Sequence, residues 1–277
     1  MFKAPKCKRV SLILRQQCNP IQQMFSNRIY LGIILCLLVT SGCHRQQIVY
    51  QSEANYIEVK STASNQTESE IQTILKPYRD SVSKEMDMII GSSSVAMEKG
   101  KPESLLGNFV SDVCKAEIDS FLIHHGKPSL DFFIFNNGGL RGALPEGSIT
   151  MGNVYQVMPF DNELVWVDLP FDSLVSVIRY IREKGGVPVS GITIKLNGDG
   201  LENVTLSNGK PLNASNSFRI GTNDFLARGG DGMNMLSIES NIQSTGVKVR
   251  DALINHIRKM AQSEKTIGSV YDGRIKP

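Results

Sequence analysis

Histidine is scarce. Only four occur in 277 residues, His44, His124, His125 and His256, and no Asp-x-His pair, His-Glu-x-x-His or Asn-His-Glu is formed with them. A two-metal hydrolase needs a dense set of His and Asp ligands around both ions, and this chain does not supply one. His124 and His125 are adjacent, so on a helix they point about 100° apart and share no face. A Gly-x-Ser-x-Gly elbow for a nucleophilic serine is missing, as is a Gly-x-x-x-x-Gly-Lys-Ser/Thr loop for phosphate. Charge excess is small too: the formal net charge is +3, and part of it comes from Lys3, Lys6, Lys8, Arg9 and Arg15. Without a stripe of Lys and Arg interleaved with aromatics, nucleic-acid binding is not indicated. These absences predict a chain with no catalytic residues forming a self-contained centre and no metal site of its own.

Cysteine is nearly absent from the body of the chain. Cys7, Cys18, Cys36 and Cys43 belong to the N-terminal segment, which leaves Cys114. One cysteine cannot staple a secreted domain, so an apolar core must hold it together. Cys114 lies inside an apolar helical pattern and reads as part of that core. No apolar run reaches a comfortable membrane-spanning length. The run "YLGIILCLLVTSGC", preceded by Arg28, has the flanks of a secretory signal. Its small residues Ser41 and Gly42 before Cys43 resemble a bacterial lipobox, although Thr40 stands where Leu or Val is usual. That likeness implies lipidation of Cys43 and a membrane-anchored lipoprotein of the cell envelope; a plain signal peptide or a single anchor helix is the other reading. Met24 would give a normal short n-region, so residues 1–23 read as an extension.

The remaining composition, 41% apolar and 21% charged, is that of a globular protein. The expected organisation is an N-terminal extension and signal peptide over 1–43, a polar tether over 44–67 with a lead-in strand near Tyr56–Val59, a domain over 68–265 and a tail over 266–277. Within the domain, spacing predicts helices from Glu68 to about Lys84, from Pro102 onward with Leu105, Leu106, Phe109, Val110, Val113 and Ile118 buried, over "FDSLVSVIRYIRE", and from Val249 to Gln262. Strands are expected at "MDMIIGSSSVAM", Asp131–Phe135 and Glu163–Leu169, then at "GITIKL", "LENVTL" and "SFRIGTND" as a meander through Asn197-Gly198 and Asn208-Gly209 turns. Intermixed helices and strands indicate an α+β fold, a single domain whose mixed sheet is flanked by helices.

Three stretches have the composition of a binding site. Asn136-Asn137-Gly138-Gly139-Leu140-Arg141 follows a buried strand; glycines let backbone amides approach an anion, and Arg141 offers a planar, permanently charged fork. Pro159-Phe160-Asp161-Asn162 presents a ring at a loop edge. "TNDFLARGGDGM" sets Phe225 in a polar stretch and Asp231 among glycines. Two rings from separate loops can sandwich a planar base, at about 1–3 kcal/mol per stacked ring. Taken one at a time, these stretches also suit a solvated arginine, a core phenylalanine and a turn-capping aspartate.

Together, "NNGGLR", "GNVYQVMPFDN" and "NDFLARGGDG" resemble the C-terminal domain of the 5′-nucleotidase family over roughly residues 68–265. That family joins this domain to a metallophosphoesterase domain, and a hinge swings bound substrate to the metals. The resemblance implies that Asn136 and Arg141 line the substrate pocket, the arginine toward phosphate. It implies that Phe160 and Phe225 clamp the base, that Asn162 is a nearby polar contact and that Asp231 binds ribose. Two departures stand out. Family members carry arginine just before the Leu-Gly-Asn of the second helix, where this chain has Lys99 and Lys101 near Leu105–Asn108; that weakens bidentate phosphate capture. No room for a metallophosphoesterase domain exists between Cys43 and Glu68. The expectation is a nucleotide-recognising domain that works with a metallophosphoesterase supplied in trans, with divalent metals on that partner and no cofactor in this chain. The alternatives are a stand-alone nucleotide-binding envelope lipoprotein and a vestigial interaction domain.

Overall fold

An apolar run without alternation, such as Phe132 to Phe135, needs cover on both faces, and here it has it. The structure, a computed structural model, describes residues 65–198, 200–237 and 242–277, and these described residues belong to one compact unit. The chain opens with α1 (Asn65–Met86), β1 (Ile89–Ser93), α2 (Leu105–His124), β2 (Phe132–Ile134), β3 (Gly147–Thr150) and α3 (Met151–Val157). It continues with β4 (Glu163–Pro170), α4 (Phe171–Glu183), β5 (Val189–Ser190), β6 (Ile192–Lys195), β7 (Val204–Leu206) and β8 (Ser217–Asn223). The last elements are α5 (Asp224–Ala227), α6 (Asn234–Ser237), β9 (Gln243–Lys248), α7 (Val249–Gln262) and β10 (Ile275–Lys276).

The central sheet has the order β5-β2-β8-β4-β9. β2 and β8 run parallel, and the other neighbours are antiparallel. Successive strand residues face opposite sides. Phe133, Phe135, Leu164 and Trp166 therefore enter one core with α2, α3 and α7, while Phe132, Ile134, Val165 and Val167 enter a second with α4, α5 and α6. Helices on both faces of a mixed sheet make this an α+β domain. Cys114 is fully buried in the first core, and that burial pushes its thiol well above the ordinary range.

Four expectations are corrected. The helix expected to open at Pro102 begins at Leu105 instead, because Ser104 caps it by accepting a bond from the Gly107 amide at 3.1 Å. The expected meander breaks after β7: β6 and β7 pair antiparallel, but β8 crosses to the central sheet between β2 and β4. Phe218, Ile220, Gly221, Thr222 and Asn223 are all buried, and only a central strand covers both faces that way. Residues 266–277 are woven into the domain rather than trailing from it. Ile267 and Ile275 are buried, β10 pairs parallel with β6, and Arg274 bonds both Asp112 and the Val189 carbonyl. Finally, the last positions of the tether, 65–67, already belong to α1. The signal peptide, Cys43 and the lead-in strand near Tyr56–Val59 lie outside the described residues. No helix among the described residues is long and apolar enough to cross a membrane.

Candidate functional site

Strand direction decides where the chemistry collects. β2 and β8 are parallel, so both end at one edge of the sheet; β4 is antiparallel to β8, with Leu164 opposite Asn223, so it begins at that edge. The segments after β2, before β4 and after β8 therefore meet. Asn136, Arg141, Phe160, Asn162, Phe225 and Asp231, together with Gly138 and Gly139, line one cavity of about 290 Å³.

The segment after β2 turns through a short 3-10 stretch at Asn137–Gly139. A Cβ on Gly139 would stand 2.6 Å from the Phe135 ring and 2.7 Å from Asn136 Oδ1, so only glycine lets the turn lie this close. Asn136 is 6% exposed; its Nδ2 donates to Asp231 Oδ2, and its Oδ1 has no protein partner. Arg141 is anchored through its amide to the Val157 carbonyl at 2.9 Å, which leaves the guanidinium exposed with its Cζ 5.3 Å from the centre of the Phe160 ring. Lys99 and Lys101, which stand where the resemblance leads one to expect arginine, do not line the cavity. Lys99 Nζ donates to the Leu140 carbonyl at 2.9 Å and Lys101 Nζ to that of Lys184, so each braces backbone.

The stretch after β8 is not a polar loop. Thr222 and Asn223 finish the strand, and Asn223 Oδ1 caps the helical turn 224–227 by accepting from the Leu226 amide at 2.8 Å. That turn buries Leu226 and Ala227 completely and leaves Phe225 45% exposed on its other side. Gly229 ends the turn at φ +91°, and Asp231 sits at φ +53°, a left-handed conformation that costs most residues energy but that Asp tolerates. Two contacts hold it there: Asn136 Nδ2 on the carboxylate, and the Tyr180 hydroxyl donating to its carbonyl at 3.3 Å. Arg228 is exposed and does not reach the cavity.

The segment before β4 presents Phe160, 37% exposed, and Asn162, whose carbonyl accepts from the Val249 amide at 2.9 Å. The Glu163 amide donates to Asp224 Oδ1 at 3.2 Å, tying this segment to the one carrying Phe225. Bonds from Arg250 and then Lys248 hold the neighbouring Asp161 carboxyl below its ordinary range. A lowered carboxyl pKa means the ion pairs are present above that range and lost only as pH falls through the lowered value. The segment's charge network therefore persists through mildly acidic pH. Sequence reading passes over Arg250, although positions 250, 253, 254 and 257 form one buried helix face and a lone arginine there is a visible signal.

A larger hollow of about 460 Å³ is lined in part by Asp112, Lys115, Asp131 and Arg274. Its charged side chains are already paired, Arg274 with Asp112 and Asp272, Lys115 with Asp119 and Asp131 with Lys210, so it offers no group reaching for a ligand. Among the described residues, no group of three or more His, Cys, Asp or Glu side chains is placed to hold a metal ion. The sheet-edge cavity is the better candidate, with two exposed rings, a carboxylate, two carboxamides and a guanidinium around one space.

Known proteins are similar to this chain in sequence, and a solved structure in fold. The protein UshA of Escherichia coli (strain K12) is 24% identical over 201 residues, covering 70% of this chain and 35% of UshA. The trifunctional nucleotide phosphoesterase protein YfkN of Bacillus subtilis (strain 168) is 28% identical over 207 residues, 68% of this chain and 14% of YfkN. This chain thus spans about a third or less of the length of these curated relatives. Among solved structures, a 5′-nucleotidase precursor from Thermus thermophilus superposes with a TM-score of 0.59 at 25% identity, covering 74% of this chain and 42% of that one. The model of the 5′-nucleotidase C-terminal domain matches residues 83–238, a stretch that contains all three cavity-forming segments. More than half of the chain is therefore accounted for by one family, and the chain belongs to it: the 5′-nucleotidase C-terminal domain family.

Proposed function

We propose that the cavity binds a nucleotide by its nucleoside half, and that the domain contributes substrate recognition to nucleotide dephosphorylation while a metallophosphoesterase supplied in trans carries out the hydrolysis. The observation that carries this reading is the convergence on one cavity of Phe160, from the segment before β4, with Phe225 and Asp231, from the segment after β8. The rings offer π-faces to a base. The Asp231 carboxylate accepts bonds from ribose hydroxyls, and Asn136 and Asn162 add polar contacts. A volume of about 290 Å³ lies at the small end of ligand pockets. It suits a base and sugar, with the phosphate left at the rim beside the exposed guanidinium of Arg141. Asp and Asn oxygens in the cavity are too few to hold divalent metals, so in this reading the metals belong to the partner. The run ending at Cys43 supports an envelope location through a lipid anchor.

Calorimetric titration of AMP into the chain, with and without a candidate metallophosphoesterase, tests the proposal. The expected result is saturable AMP binding by this chain alone, with phosphate release only when the partner and a divalent metal are added. No binding of AMP or adenosine would overturn it; phosphate release by the chain alone would overturn the division of labour.

A glycine supplies a more local check. A Cβ on Gly230 would lie 2.5 Å from Phe225 Cε1 and Cζ and 2.6 Å from the Phe225 carbonyl oxygen, so Gly230→Ala must displace that ring or its backbone. Gly230→Ala is expected to weaken adenosine binding by about tenfold or more, a cost on the scale of one stacked ring, while far-ultraviolet circular dichroism stays unchanged. Unaltered adenosine affinity would show that the ring's position does not matter.

A further inference from the structure

Arg250 lies in the first turn of α7 on the face that carries Leu253, Ile254 and Ile257, and it is only 7% exposed. A guanidinium at that depth is costly unless it is paired and hydrogen-bonded. Its partners all come from one short segment. Nη1 donates to the Met158 carbonyl at 3.3 Å and to the Phe160 carbonyl at 3.4 Å, and Nη2 donates to Asp161 Oδ1. The guanidinium also lies over the Tyr155 ring, 4.2 Å from its centre. Lys248 Nζ meets the other Asp161 oxygen at 3.2 Å. Arg250 itself does not line the cavity. It bonds the carbonyl of the residue whose ring does, and the residues on either side of the dipeptide Pro159-Phe160.

We infer that Arg250 is the positioning residue for the base-binding ring: from beneath, it fixes the backbone of residues 158–161 so that Phe160 stands with its ring at the cavity rim. This rests on the reading of the cavity as a nucleoside site. An exposed phenyl ring gains by folding onto nearby apolar surface, and a loosely held segment would have to be ordered at the moment of binding. A buried fork bonded to two carbonyls and a carboxylate removes both costs beforehand. The role calls for several donors in one plane together with a face that stacks on Tyr155. Arginine has both, and a lysine ammonium has neither.

The test is a double-mutant cycle in the full chain, read by calorimetric titration with adenosine. Arg250→Lys is expected to raise the adenosine Kd by about tenfold when Phe160 is present and by less than about twofold in a Phe160→Ala background, since coupled residues are non-additive. A merely structural arginine would lower affinity equally in both backgrounds, and that outcome overturns the proposal, as does an unchanged Kd. Asp161→Asn provides a milder variant, because the carboxylate is exposed and the carboxamide oxygen can still accept from Arg250 Nη2; it should show the same dependence on Phe160 at a smaller size, about twofold to threefold. Absence of that dependence in both variants overturns the role of Arg250 alone. No adenosine binding by the unaltered chain overturns the nucleoside reading, and this proposal with it.

Discussion

Phe225→Ala is expected to weaken AMP and adenosine binding by about 1–3 kcal/mol, roughly fivefold to more than a hundredfold, which is the worth of one base–aromatic stack. Stability should hardly change. The ring is 45% exposed, and the neighbours that anchor its turn, Leu226 and Ala227, are fully buried and untouched by the substitution. Calorimetric titration beside a thermal melt measures both quantities on one sample. Phe160→Ala should give a similar loss of affinity, with one difference: it also removes the surface under Arg141, whose Cζ stands 5.3 Å from that ring. Freed of that contact, Arg141 gains mobility, so AMP should lose more than adenosine in the Phe160 variant and about the same in the Phe225 variant. Equal affinity of Phe225→Ala and the unaltered chain for adenosine would mean that the cavity is not a base clamp.

The second large effect is at Asp231, where binding and folding share one side chain. Asp231→Ala removes the carboxylate that would meet ribose and the acceptor for Asn136 Nδ2. Asn136 is nearly buried and its Oδ1 already lacks a protein partner, so the substitution leaves its carboxamide without any. An unpaired buried donor costs about 1–3 kcal/mol. Alanine also accepts the left-handed backbone at φ +53° less readily than aspartate. The expected outcome is a melting temperature lower by several degrees together with near loss of nucleoside binding. Asp231→Asn separates the two parts. Its side-chain oxygen can still accept from Asn136, and asparagine tolerates the left-handed region. That variant should therefore melt close to the unaltered chain while binding adenosine weakly. If Asp231→Asn binds as well as the parent, the carboxylate charge has no part in recognising the sugar.

Much of the architecture is legible in the sequence, for a physical reason that varies from element to element. The helices 171–183 and 249–262 are readable to within a residue, because each has one buried face at helical spacing. β2 is readable from its unbroken apolar run, since a strand covered on both sides leaves no polar alternation. The crossing of β8 is not readable. A hairpin-like spacing with Asn208-Gly209 favours a local partner, yet Asn208 and Lys210 spend their side chains on Asp131, 77 and 79 residues away, and the strand is free to pair elsewhere. The stretch 222–233 reads as a loop because its polar residues outnumber its apolar ones. Its order comes from caps and left-handed glycines, which leave little periodic trace. The residues singled out for binding emerge from composition and resemblance, but their meeting at one edge follows from two parallel strands and one antiparallel neighbour, which local pattern does not specify. Arg250 escapes notice because a charge in a helix reads as surface by default.

The cavity draws on positions from 136 to 231, separated by β4, α4 and most of the central sheet. No short fragment carries it, so the pocket exists only while the entire domain is native. Occupancy and global folding are then linked by mass action: a ligand present at a hundred times its dissociation constant would raise the unfolding free energy by about 2.7 kcal/mol. Thermal-shift screening of nucleosides against the intact protein would in that case rank their affinities without any enzymatic assay.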